Sequence, residues 1–202
     1  MQEDWPKDRV EFNETFLVSL SIFGLMVGSL FSKPILVIGR RRSILISNLI
    51  ITLMTIPFFF FEAVWILATA RFIIGCCSAL IVNASSTYIG ETAPTAYKPY
   101  LGTTIQLGTV VGIFSTNLVN LSLPYWDEKE PIPDSAYDTY MWRISWSLPI
   151  IPSIISTFFW LVYFPNEPLR FLISKAEREG AESSAFKEAN RIIRENYNLQ
   201  PG

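Results

Sequence analysis

Long apolar runs separated by short polar connections dominate the chain. Five stretches come close to the roughly 20 residues a helix needs to cross a bilayer: Thr15 to Leu36, Ser43 to Phe61, Val64 to Ile89, Tyr100 to Leu123 and Ile144 to Phe164. The pattern predicts an all-α, multi-span membrane helix bundle. Residues 1–14 form an outer-side segment, 15–164 five transmembrane helices, and 165–202 a cytosolic linker. Glu62 makes the second connection so short that the helices it joins must be antiparallel neighbours. Pro34, Pro57, Pro149 and Pro152 fall within or near spans, where neighbouring helices re-satisfy freed carbonyls. Gly24 with Gly28, and Gly108 with Gly112, are spaced for close helix–helix approach. In the tail, Phe186, Ala189, Ile192 and Ile193 recur at helical spacing after Ser184, a candidate N-cap. That amphipathic helix needs a cover for its apolar stripe.

Composition sharpens this picture. Charged residues are 17% of the chain, against about 25% in soluble domains, which excludes an ordinary soluble protein. There is no histidine, the commonest metal ligand and general base. The cysteines are the adjacent pair Cys76 and Cys77 inside an apolar run, where they read as small hydrophobes. No metal cluster, disulfide framework, nucleophile–base pair or phosphate loop is visible, so no cofactor, no enzymatic activity and no nucleic-acid partner is expected. An acidic stretch precedes the first span and no cleavage site follows it, unlike a signal peptide.

Charge sets orientation. Basic residues in short loops face the cytosol, which places Arg40, Arg41 and Arg42, the loop with Lys98, and the segment after the fifth span on that side. The acidic start and the loop PYWDEKEPIPDSAYDTYMW fall outside. Asn13 and Asn120 head N-x-[ST] sequons on the predicted outer side and are candidate glycosylation sites, whereas the sequon at Asn83 lies mid-span.

Some placements oppose the helix dipole. Arg40 to Arg42 open the second span, where cations are disfavoured, and Glu91 closes the third, where anions are. They serve topology and solvation alone, or they pair across helices in a cluster that forms and breaks. Arg71, near the outer end of the third span, either snorkels to headgroups or holds a partner in the bundle. Gln106, about two turns into the fourth span, must face the bundle interior or an aqueous cavity, as helix–helix glue or as a contact to ligand hydroxyls. Asn48, Asn83 and Asn117 compete for that role.

The order of motifs resembles the sugar porters of the major facilitator superfamily. Gly39-Arg40-Arg41 matches the family's loop between helices two and three, and Arg71-Phe72 with Gly75 its opening of helix four. Tyr88, Glu91 and Pro94 match the end of that helix, Gln106-Leu107-Gly108 with Gly112 matches helix five, and PNEPLRFL the motif after helix six. The likeness covers nearly the whole chain. It implies that the five spans are helices two to six, a partial N-terminal half of a major facilitator fold, followed by the start of the intracellular linker. Gln106 would contact sugar hydroxyls. Arg40, Arg41, Glu91, Lys98, Glu167 and Arg170 would form a cytosolic salt-bridge network that holds the outward-facing state. Departures are Leu36 and Val37 in place of an acid or amide and a base, Lys98-Pro99 in place of Arg-Gly, an extra Leu169, and Asn166 in place of an acid.

Such transporters use two related halves with the site between them, and each cytosolic motif occurs once here. The expectation is a fragment of a hexose-type facilitator that lacks a first helix and acts by alternating access with the missing six-helix half. Its partners would be a sugar and the lipid bilayer, in the plasma membrane rather than an organelle. The alternatives are an organic-ion porter of the same superfamily, or a non-transporting half-bundle bound to a partner membrane subunit.

Overall fold

The computed structural model describes residues 7–61, 63–121, 146–164, 166–179 and 184–197. Among them the chain forms nine helices: α1 (Lys7–Leu30), α2 (Ser32–Leu36), α3 (Arg40–Thr55), α4 (Pro57–Phe60), α5 (Val64–Thr92), α6 (Lys98–Leu121), α7 (Ile150–Val162), α8 (Leu169–Glu179) and α9 (Ser184–Tyr197). Three of the five expected spans are interrupted, the fifth at a turn over Leu148 and Pro149 just before α7. Pro34 lacks an N–H and crowds the preceding turn, so the first span breaks at Phe31 and resumes as α2. Pro57 does the same to the second, whose last turn is the separate α4 with Pro57 in its first turn. The first span also begins earlier than expected, because α1 is already helical at Lys7.

Arg40–Phe60 and Val64–Thr92 are each long and apolar enough to cross a membrane, and Thr15–Leu30 and Ile150–Val162 are shorter apolar helices. Helix α6 has the length but more polar side chains. Thr103, Thr104, Thr109, Ser115 and Thr116 each donate a hydroxyl to the carbonyl four residues back, which satisfies them within their own helix.

The bundle is built on α5. Helix α1 runs parallel to it through backbone-to-backbone contact. A Cβ placed on Gly24 would strike the Phe72 carbonyl, one on Gly28 the Cys76 backbone, and one on Gly75 the Ser21 carbonyl. Glycine here is therefore what lets two helices touch, as the spacing of Gly24 and Gly28 predicts. The same spacing at Gly108 and Gly112 meets nothing within 4 Å among the described residues. Helix α3 packs antiparallel on α5 and on α7.

A polar seam holds α3 to α7. Asn48 donates its side-chain amide to Ser156 Oγ at 2.9 Å, Ser153 donates to the Asn48 carbonyl at 2.8 Å, and Thr52 Oγ1 lies 3.1 Å from Ser153 Oγ. These groups are satisfied only in one register, since hydrocarbon offers no substitute partners. Apolar cores flank the seam: Leu17, Phe58, Leu67, Ala68 and Ala70 towards one end, Leu36, Ile44 and Ala84 with Trp160 towards the other. Most large side chains on the outside are apolar, including Ile22, Leu30, Phe60, Trp65 and Ile151, a surface suited to lipid rather than water.

Residues 165–202, expected as a linker with one amphipathic helix, hold two helices among the described residues. Phe171, Leu172 and Ala176 of α8 bury Ala185, Ala189 and Ile192 of α9, which supplies the cover α9 requires. Phe186, expected on the apolar stripe, is exposed.

Candidate functional site

The charged residues that oppose the dipole of their own helix meet where α3 begins, α5 ends and α7 ends. Arg40, first in α3, donates Nη2 to Glu91 Oε1 at 2.8 Å and Nε to the same oxygen at 3.2 Å. Its Nη1 reaches the Leu36 carbonyl at 2.9 Å, and its guanidinium lies 4.5 Å above the Phe171 ring of α8. One arginine thus holds the ends of α2 and α5 and the start of the linker.

Arg41 and Glu167 exchange places between α3 and α7. The Glu167 carboxylate, only 9% exposed, accepts the backbone N–H of Arg41 at 3.1 Å and of Arg42 at 3.0 Å. It therefore caps α3 from a distant part of the chain, putting an anion where three cations accumulate. In return Arg41 Nε donates to the Phe164 carbonyl at 2.6 Å and lies 3.4 Å from that of Trp160, a cation at the C-terminal end of α7. Each charge that is misplaced on its own helix suits the opposite end of a neighbour.

Gly39 makes this possible. Its φ of 146° suits glycine alone, and a Cβ there would sit 2.6 Å from Glu167 Oε1. Tyr88 closes the cluster beneath, donating to the Asn166 carbonyl at 3.4 Å and packing edge-on against Trp160 and Phe164.

The six residues expected as one salt-bridge network separate in the structure. Arg40 and Glu91 form an ion pair, while Arg41 and Glu167 act on backbone groups. Arg170 is exposed on α8 and Lys98 begins α6; neither forms an ion pair within the described residues. The backbone roles of Glu167 and Arg41, and the Phe171 face under Arg40, were missed in the sequence. Leu36, which replaces a polar family residue, is buried against Ile44 and Ala84, so an acid there would be desolvated.

Gln106 is exposed on α6, an element that rests lightly on α5 and is open along most of its length. It is therefore not glue to any described residue. Asn48 takes that role in the α3–α7 seam, Asn83 lies 3.4 Å from Ser29 Oγ, and Asn117 is exposed. Arg71 sits over the Phe58 and Trp146 rings. Asn13 and Asn120 fall within α1 and α6, and their side chains lie outside the described set, as does the expected outer loop.

Arg40→Ala is expected to cost more than Glu91→Ala, because Arg40 also serves Leu36 and Phe171. The two side chains are 18% and 19% exposed, so their coupling in a double-mutant cycle should be about 1 kcal/mol. Thermal unfolding in detergent at low and high salt measures it; a coupling of zero would mean that the two charges are solvated independently and their pairing contributes nothing.

Comparison with known proteins shows what the chain as a whole is similar to. Residues 2–198 match the family described as "Sugar (and other) transporter". Among curated relatives, facilitated glucose transporter member 3 of Oryctolagus cuniculus is 31% identical over 188 residues, covering 89% of this chain and 35% of its own length. Hexose transporter 1 of Toxoplasma gondii is 26% identical, covering 90% and 31%. The chain thus spans about a third of the length of these relatives. The solved proton:xylose symporter XylE, of the major facilitator superfamily, superposes with a TM-score of 0.70 at 19% identity, covering 95% of this chain and 41% of the other. The inward open xylose transporter XylE from E. coli gives 0.67 at 17%, covering 99% and 49%.

Proposed function

The chain belongs to the sugar transporter family of the major facilitator superfamily, and on that premise we propose that it forms part of a carrier moving a hexose-type sugar across the plasma membrane by alternating access. The observation that supports this best is the charge cluster at the start of α3. Arg40–Glu91 and Glu167 join four helix ends through bonds that are strong when aligned and easily separated, as an interface that opens and closes requires. In this reading the cluster faces the cytosol, α8 and α9 begin the intracellular linker, and the open side of α6 looks toward the substrate path. The second six-helix half completes that path.

Gln106 is then a sugar contact. Its carboxamide stands clear of the described side chains on an exposed face, with donors and acceptors matched to sugar hydroxyls. A chimera in which these residues replace the matching third of a glucose transporter tests both points. Hexose uptake by the chimera is expected, and Gln106→Ala should raise KM by about 2–10-fold, the worth of one hydroxyl hydrogen bond. A correctly inserted chimera with no uptake would sink the transport reading; unchanged KM would remove Gln106 from the site.

A further inference from the structure

At the end of the bundle opposite the Gly39–Glu167 cluster, Arg71 lies about two turns inside α5. Its guanidinium carbon is 4.1 Å from the centroid of Trp146 and 5.5 Å from that of Phe58. Those two rings meet edge to face at 5.7 Å. Phe58 is fully buried. Within the described residues Arg71 Nε is buried with no hydrogen-bond partner, and no carboxylate pairs with this guanidinium. A cation in a membrane-spanning helix is costly unless something compensates it. The compensation on hand is the negative face of two aromatic rings, strongest for indole and strengthened where water is excluded.

We propose that Arg71 is a positioning residue: a cation–π clasp that holds Trp146, and through it the start of α7, against the α4–α5 hairpin. Helix α7 is then pinned at both ends by different chemistry, at its start by rings around a guanidinium and at its far end by Arg41 and Glu167. Arginine suits the clasp because its planar, weakly hydrated group lies flat on a ring, whereas an ammonium holds its water. The polar seam between α3 and α7 lies between the two fastenings, so its register is set from both sides.

Fluorination of Trp146 tests the clasp, because fluorine drains the ring's negative face with little change of shape. Mono-, di- and tetrafluorinated tryptophan would be placed at 146 in the full chain, with Arg71 and with Arg71→Gln, and thermal unfolding followed in detergent micelles. The melting temperature is expected to fall stepwise, by about 2–4 °C in total, when Arg71 is present. It should stay flat in Arg71→Gln, and the fluorine NMR signal of monofluorinated Trp146 should move between the two backgrounds. Should Arg71→Gln not fold, Arg71→Lys takes its place, with a shallower series expected. A flat series in the parent, or an equally steep one without the guanidinium, overturns the proposal.

Discussion

Replacing Gly28 by alanine is expected to destabilise the protein by about 1–3 kcal/mol, although alanine in a helix interior ordinarily stabilises by about 1 kcal/mol over glycine. The sign reverses because the new Cβ would overlap the Cys76 backbone, with Cα at 2.7 Å and the carbonyl carbon at 2.9 Å. Backbone cannot rotate away as a side chain can, so α1 and α5 must separate along the line through Gly24, Gly28 and Gly75. Leucine at the same position should prevent docking of α1 altogether. An internal control is available on α6, where a Cβ on Gly108 or Gly112 meets nothing within 4 Å among the described residues. Gly108→Ala should leave this chain's stability unchanged or raise it slightly. Melting temperatures of the variants in detergent settle the matter, and equal responses at Gly28 and Gly108 would show that close approach of α1 and α5 contributes nothing.

Gly39→Ala should cost about 2–3 kcal/mol through two coupled effects. Alanine is strained at a φ of 146°, at about 1–3 kcal/mol for such regions. Its Cβ also pushes at Glu167 Oε1, which then releases the N–H groups of Arg41 and Arg42; a lost cap is worth about 0.5–2 kcal/mol. The second effect should vanish when Glu167 has already been removed. Gly39→Ala is therefore expected to cost about 1 kcal/mol less in a Glu167→Ala background than in the parent. Strict additivity would mean that Gly39 is needed for its backbone conformation alone and not for the room it leaves the carboxylate.

Two long apolar helices were legible because a bilayer demands an apolar run of fixed length, and Arg40–Phe60 and Val64–Thr92 have that length and composition. The breaks at Phe31 and Ile56 were not, since hydropathy continues across them and only a proline nearby marks the interruption. The Arg40–Glu91 pair could be anticipated because each residue sits at the unfavourable end of its own helix. Glu167 was expected as a member of an ion-pair network, and in the structure it accepts the backbone N–H groups of Arg41 and Arg42. Backbone N–H groups leave no trace in a sequence, so a carboxylate that caps a distant helix looks like one that seeks an arginine. Helix α8 escaped because Leu169, Phe171 and Leu172 lie within the PNEPLRFL motif, whose charged residues masked the helical period that continues to Ala176. Gln106 was expected against a partner or a cavity, and its surroundings depend on surfaces beyond the chain's own described helices.

The cap on α3 carries a consequence for biosynthesis. Arg41 and Glu167 are 126 positions apart, so the first turn of α3 leaves the ribosome long before its acceptor exists. At about 5–20 residues per second, that turn waits on the order of 6–25 s, its exposed N–H groups and three arginines in the keeping of water and lipid phosphate. The second span can insert early, yet its end is finished only when the segment after α7 arrives. Truncation ahead of Glu167 would therefore yield helices inserted in the right order around a seam with its fastening undone, the kind of product that membrane quality control removes.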